Sequence, residues 1–169
     1  MAYFEKFNLI TYNNTICTNL LQRVISNNQL PQQYFTYYVV QDGEKPETVA
    51  YKLYGNAEYH WVIILLNNII NPQFDWILSS VELTRYIDKK YGSYNGSLVH
   101  HYETTSASEP QLPAGTVVNS DFIPADWIVA VTNEEYESAI NETKRQIKVI
   151  NPTYLKQFER DIEKLLKVN

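Results

Sequence analysis

Apolar and polar positions change period several times within one short stretch, Tyr37 to Asn68, YYVVQDGEKPETVAYKLYGNAEYHWVIILLNN. Tyr37-Tyr38-Val39-Val40 is aromatic and β-branched, the composition of a strand, and Asp42-Gly43 breaks it with a turn pair. Pro46 suits a first helical position, where its missing N–H is no loss and its φ is already set. Val49, Ala50, Leu53 and Tyr54 then recur at helical spacing, and Gly55 supplies the left-handed residue that closes a helix. Asn56 can cap a second helix, with Glu58 favourable in its first turn. From Trp61 to Leu66 that helix is apolar nearly all round, which predicts burial. The run is far shorter than the roughly 20 residues of a membrane span. The stretch therefore reads as strand, short helix, glycine turn and buried helix.

Met1 to Tyr12 is aromatic without helical period and reads as an extended arm, with Tyr3, Phe4, Phe7, Leu9 and Ile10 seeking cover. Asn14 or Thr15 can cap a helix placing Ile16, Leu20, Leu21, Val24 and Ile25 on one face. Beyond the central stretch, Ser79 and Glu82 have capping-box spacing for a helix that Gly92 stops. Leu98–Tyr102, Thr116–Val118 and Trp127–Val131 read as short strands. Thr132 and Glu135 make a second capping box, opening a helix with Tyr136, Ala139 and Ile140 on one side. Ile147 and Val149 alternate with Gln146 and Lys148, a period of two. Asn151-Pro152 then opens a last helix striped by Leu155, Phe158, Ile162, Leu165 and Leu166. The fold class is α+β. The parts are an arm and helix over 1–33, a core with an inserted helix and β region over 34–131, and a helix–strand–helix extension over 132–169.

Composition narrows the function. The 169 residues include 14 Tyr and 3 Trp, side chains enriched at interfaces, and the net charge is −5. That balance argues against nucleic acid and against an anionic membrane surface. Cys17 is the single cysteine, so neither a disulfide framework nor a cysteine zinc site is expected. MAYFEKFNLI lacks the basic start, apolar core and cleavage site of a secretory signal. On a regular strand His100 and His101 point to opposite faces; His101 and Glu103 share one, but two groups fall short of a metal or acid–base site. His60, on the buried helix, reads as a hydrogen-bonded core or rim residue. No phosphate loop, nucleophile elbow or HExxH is present. The residues point to no enzyme, no metal and no cofactor.

Two resemblances follow from the motifs. The strand YYVV, the turn at Asp42-Gly43, the helix ending LYG and the second helix ending LLNN before Asn71-Pro72 resemble a LysM module. This is a βααβ fold that binds peptidoglycan and chitin, and Leu112–Val118 is similar to its closing strand. A glycan groove would then involve Asp42, Gly43, Glu44, Asn71 and Phe74. The turn Gly43–Val49 is longer than the Gly-Asp-Thr-Leu turn of ordinary LysM modules and carries Pro46 and charge. The longer pattern, Lys45-Pro46-Glu47, Ala50, Leu53-Tyr54-Gly55-Asn56, Trp61-Val62 and Asn67, resembles the baseplate wedge protein 53 family of contractile phage tails. Asp75-Trp76-Ile77 and Asn141–Ile150 continue it.

That resemblance implies a LysM-like core between N- and C-terminal extensions, in a structural subunit that joins wedge components and neighbouring wedges around the tail hub. It implies partners among the other wedge proteins and the sheath-initiator or hub region, several copies per ring, and a place in the virion after assembly in the host cytoplasm. Tyr3, Phe4, Phe7, Leu155, Phe158, Ile162 and Leu166 are the expected protein-interface residues.

Overall fold

The computed structural model describes residues 9–18, 32–108 and 111–168, with side chains as far as Lys164. Its strands are β1 (Leu9–Tyr12), β2 (Thr15–Thr18), β3 (Phe35–Val39), β4 (Val99–Thr104), β5 (Val117–Val118), β6 (Ile128–Thr132) and β7 (Gln146–Ile150). Its helices are α1 (Pro46–Tyr54), α2 (His60–Leu66), α3 (Pro72–Asp75), α4 (Ser80–Tyr91), α5 (Asn133–Glu142) and α6 (Leu155–Val168). Two units form: Met1–Trp76 with Arg145–Asn169, and Ile77–Lys144, so the second is inserted in the sequence of the first. The unit boundaries fall at 76/77 and 144/145.

β1 and β2 form a hairpin, Leu9 opposite Thr18 and Tyr12 opposite Thr15. Asn13 and Asn14 both hold positive φ, 48° and 59°, the signature of a two-residue turn whose twist matches its strands. This corrects the expected helix from Thr15: Thr15, Ile16 and Thr18 are β-branched and pair across the turn instead. The rest of that expected helix, Leu20 to Ile25, lies outside the described residues, as do Tyr3, Phe4 and Phe7.

In the first unit β3 and β7 pair antiparallel, from Phe35 opposite Ile150 to Val39 opposite Gln146. β7, not Leu112–Val118, therefore closes the strand–helix–helix–strand order. The physical reason is apolar content: Ile147, Val149 and Ile150 are all buried, whereas only Val117 and Val118 pair in the rival segment. Pro46 starts α1, and Gly55 ends it at φ 74°, its N–H donating to the Tyr51 carbonyl at 2.9 Å. Trp61, Val62 and Leu66 of α2 form one core with Ile150 and with Leu155, Phe158 and Ile162 of α6. Trp61 and Phe158 stack with ring centres 6.0 Å apart.

A strand in a two-stranded sheet keeps one edge open, and open edges must be covered or paired. β7 is sealed on that edge by two side chains. The Asn67 amide accepts from Lys148 N–H at 2.7 Å and donates to its carbonyl at 2.8 Å, in the manner of a neighbouring strand. The Tyr54 hydroxyl accepts from Ile150 N–H at 3.0 Å and donates to the Ile150 carbonyl at 3.2 Å. Burial pushes the Tyr54 hydroxyl up to about 12, against a smaller lowering by its Ile150 contact.

In the second unit the sheet order is β5-β4-β6, all neighbours antiparallel. Both capping boxes form: Ser79 with Glu82 starts α4, and Thr132 with Glu135 starts α5. The face that α5 buries is polar. Asn133, Glu137 and Asn141, spaced by four, are all buried, while Ile140 is exposed. Tyr136, Ala139 and Ile140 are thus not its main packing face. Each buried polar group has a fixed partner: Asn133 donates to the Asn95 carbonyl at 2.9 Å. Glu137 accepts from Lys90 and from Tyr91 at 2.7 Å. Asn141 accepts from Leu78 N–H at 2.8 Å and donates to the Leu78 carbonyl at 2.9 Å, clasping the two ends of the unit.

Two stability predictions follow from these contacts. Phe158→Ala leaves a cavity among large side chains and is expected to cost about 3–5 kcal/mol in urea unfolding. Asn67→Ala strips the edge of β7 and is expected to cost about 1–3 kcal/mol, with faster amide exchange at Lys148. Unchanged exchange there would show that Asn67 does not protect the edge.

Candidate functional site

The residues expected to line a groove sit on two connected turns of the first unit. Glu44 follows Gly43, which holds φ 76°. Its carboxylate is buried and turned inward, accepting from Tyr38 Oη at 3.0 Å, from Gln41 N–H at 2.8 Å and from Lys52 Nζ. The Glu44 carbonyl accepts from Trp76 Nε1 at 2.8 Å, which ties this turn to the one around α3. On that second turn Asn71 caps α3 by accepting from Gln73 N–H at 3.1 Å. The Asp75 carboxylate accepts from Ile70 and Asn71 N–H, both at 2.8 Å. Asp42 lies exposed on the first turn. Phe74 and Ile70 remain exposed on the second. The arrangement offers an apolar surface on internally bonded turns: the Glu44 carboxylate and the Asn71 carbonyl oxygen serve the fold itself.

Burial works to raise Glu44, but Lys52, the Gln41 N–H and the Tyr38 hydroxyl together hold it below its ordinary 4.5. A carboxylate lowered in the folded state stabilises the fold above its unfolded pKa, and that contribution is lost as pH falls through the folded value. Glu44→Gln is expected to cost about 1–3 kcal/mol at neutral pH. The gap to the parent chain should close as pH drops below 4.5, read by urea unfolding at a series of pH values. A gap independent of pH would assign the effect to shape rather than charge.

The expected interface residues fall into two groups. Leu155, Phe158 and Ile162 are buried in the first unit's own core, so their stripe is covered within the chain. The side chain of Leu166 lies outside the described ones. Exposed apolar side chains occur elsewhere, in places the α6 stripe did not indicate. Leu9 and Ile16 share one face of the hairpin and Ile10 and Tyr12 the other, and all four are exposed. The signal available was an uncharged ten-residue run, LITYNNTICT, around an Asn-Asn pair.

In the second unit His100 and His101 do not diverge. A register shift between Val99 and His101 brings their Nδ1 atoms to 2.8 Å, and His101 Nε2 lies 2.9 Å from Glu103. Tyr136 stacks on His100 with ring centres 4.0 Å apart. Among the described residues no group of three or more His, Cys, Asp or Glu could hold a metal ion. His60 Nδ1 lies 3.0 Å from the Ala57 carbonyl, a local contact beside α2. No helix is long and apolar enough to cross a membrane among the described residues.

Comparison with known proteins places this architecture. The family described as "Base plate wedge protein 53" matches residues 10–127, from the hairpin to the end of the β5–β6 connection. A curated relative, "Baseplate wedge protein gp53" of Enterobacteria phage T4, is 26% identical over 151 residues, covering 78% of this chain and 73% of its own length. The match spans well over half of the chain, and the chain belongs to the base plate wedge protein 53 family.

Proposed function

We propose that the chain is a structural, non-catalytic subunit of a contractile phage tail baseplate, joining wedge components and neighbouring wedges around the tail hub. The family match carries this reading. On this reading the protein works in the virion tail, after assembly in the host cytoplasm, in several copies among other wedge proteins and the sheath-initiator or hub region. The strand–helix–helix–strand order of the first unit, closed by β7, supports a LysM-like core used as a protein platform. The turns that would line a sugar groove bond internally through Glu44 and Asn71. The hairpin, apolar on both faces, supplies contact area without charge to desolvate.

Complementation tests this role. A phage deleted for the chain is expected to accumulate wedges that fail to close into baseplates, seen by electron microscopy, and to recover with the full chain supplied in trans. Infectious particles formed without it would overturn the reading. Oligomers of N-acetylglucosamine at millimolar concentration are expected to leave amide shifts from Asp42 to Pro46 and from Asn71 to Phe74 unchanged. Saturable shifts there would restore a glycan-binding role.

A further inference from the structure

Charge is divided unevenly along the chain. From Tyr91 to Thr143 there are eight carboxylates and neither a lysine nor an arginine. Of these, Glu137 is neutralised by Lys90, and Glu103 is held by His101. Among the described residues Asp121 and Asp126 form no ion pair, and both are exposed. The same segment carries apolar side chains in the open. In the sheet, Val117, Glu103 and Val129 lie side by side across β5, β4 and β6, since each pair is in register. Val117 is 64% exposed and Val129 50%. The connection from β5 to β6 presents Phe122, 82% exposed, between the two free-standing aspartates. It is not a loose loop: Asn119 caps its first turn by accepting from Asp121 N–H at 3.0 Å, and Trp127 N–H donates to the Pro124 carbonyl at 2.9 Å.

We propose that this surface of the inserted unit, Val117, Glu103 and Val129 with the Asp121–Phe122–Asp126 turn, docks onto a lysine- and arginine-bearing face of another baseplate component. The inference rests on the baseplate reading above and names the surface through which it acts. Charge complementarity selects the occupant. Carboxylates flanking apolar anchors repel nucleic acid and a second copy of the same acidic surface, and attract a basic protein face. The apolar anchors supply the desolvated centre, and the rim carboxylates supply encounter rate and orientation.

The test uses the full chain and, as probe, wedge particles of its own phage assembled without it. The parent chain is expected to bind them with an affinity that falls at least tenfold as salt is raised, because exposed charge pairs are screened. Asp121→Asn with Asp126→Asn should lose most of that salt dependence, and Phe122→Ser or Val129→Glu should weaken binding at least tenfold. All four positions are exposed, so circular dichroism and melting should match the parent. Tyr51→Ala, an exposed change in the first unit, should bind as the parent does. If the parent fails to bind the particles at all, the baseplate reading itself falls. If it binds and every one of these variants binds equally, only this surface is overturned. Concentration-dependent self-association abolished by the same variants would make the occupant a second copy and overturn the basic partner.

Discussion

The pairing of β3 with β7 is the constraint on which the first unit depends. Val40 and Arg145, 105 residues apart, mark its end: Val40 N–H donates to the Arg145 carbonyl at 2.9 Å and the Arg145 guanidinium returns to the Val40 carbonyl. Closing so long a loop is entropically costly, although the cost grows only slowly with length. Two strands alone rarely repay it. Here the inner face of β7 rests on α2, its outer edge is completed by Asn67 and Tyr54, and the chain continues directly into α6, whose Phe158 meets Trp61. Sheet, edge and core are thus secured by the same few residues, which ties the stability of α6 to that of the strand before it.

The insertion is tolerated because each unit ties its own ends. Leu78 and Asn141 exchange a pair of amide hydrogen bonds just inside the second unit, while Val40 and Arg145 fix the re-entry of the first. A buried asparagine that satisfies both backbone groups of its neighbour leaves nothing unpaired, which is the condition for burying it at all. The same rule explains α5. Its buried Asn133, Glu137 and Asn141 succeed because each finds a backbone or charged partner, with Lys90 and Tyr91 holding Glu137 ionised.

The surfaces left over differ in chemistry. The first unit exposes apolar side chains on a neutral hairpin and on the turn bearing Ile70 and Phe74, beside carboxylates already spent on internal bonds. The second exposes apolar side chains among carboxylates. Family membership gives both a baseplate context. On the two turns of the first unit the Glu44 carboxylate and the Asn71 carbonyl oxygen serve the fold itself.

How much was legible turned on the range of the interaction. Pro46, Gly55, the Ser79–Glu82 and Thr132–Glu135 boxes and the buried stripe of α2 all stand in the structure as the sequence implies. Each depends on side chains reaching backbone a few residues away, so local order determines it. The partner of β3 was not legible, because Val117-Val118 and Ile147–Ile150 both offer β-branched pairs and only the three-dimensional core chooses. Nor was the polar face of α5, since a buried Asn or Glu is acceptable only when a distant residue satisfies it. The meeting of His100 with His101 needed a register shift that no alternation of residue types announces. The α6 stripe was visible as apolar, yet whether it faced a partner or the chain's own Trp61 was a tertiary matter. The sequence by itself determined the family and most elements with their caps, but not the β1–β2 hairpin, where a helix was expected. Only the tertiary structure decided which apolar faces cover each other, because burial is settled by what lies across the contact and not by what lies along the chain.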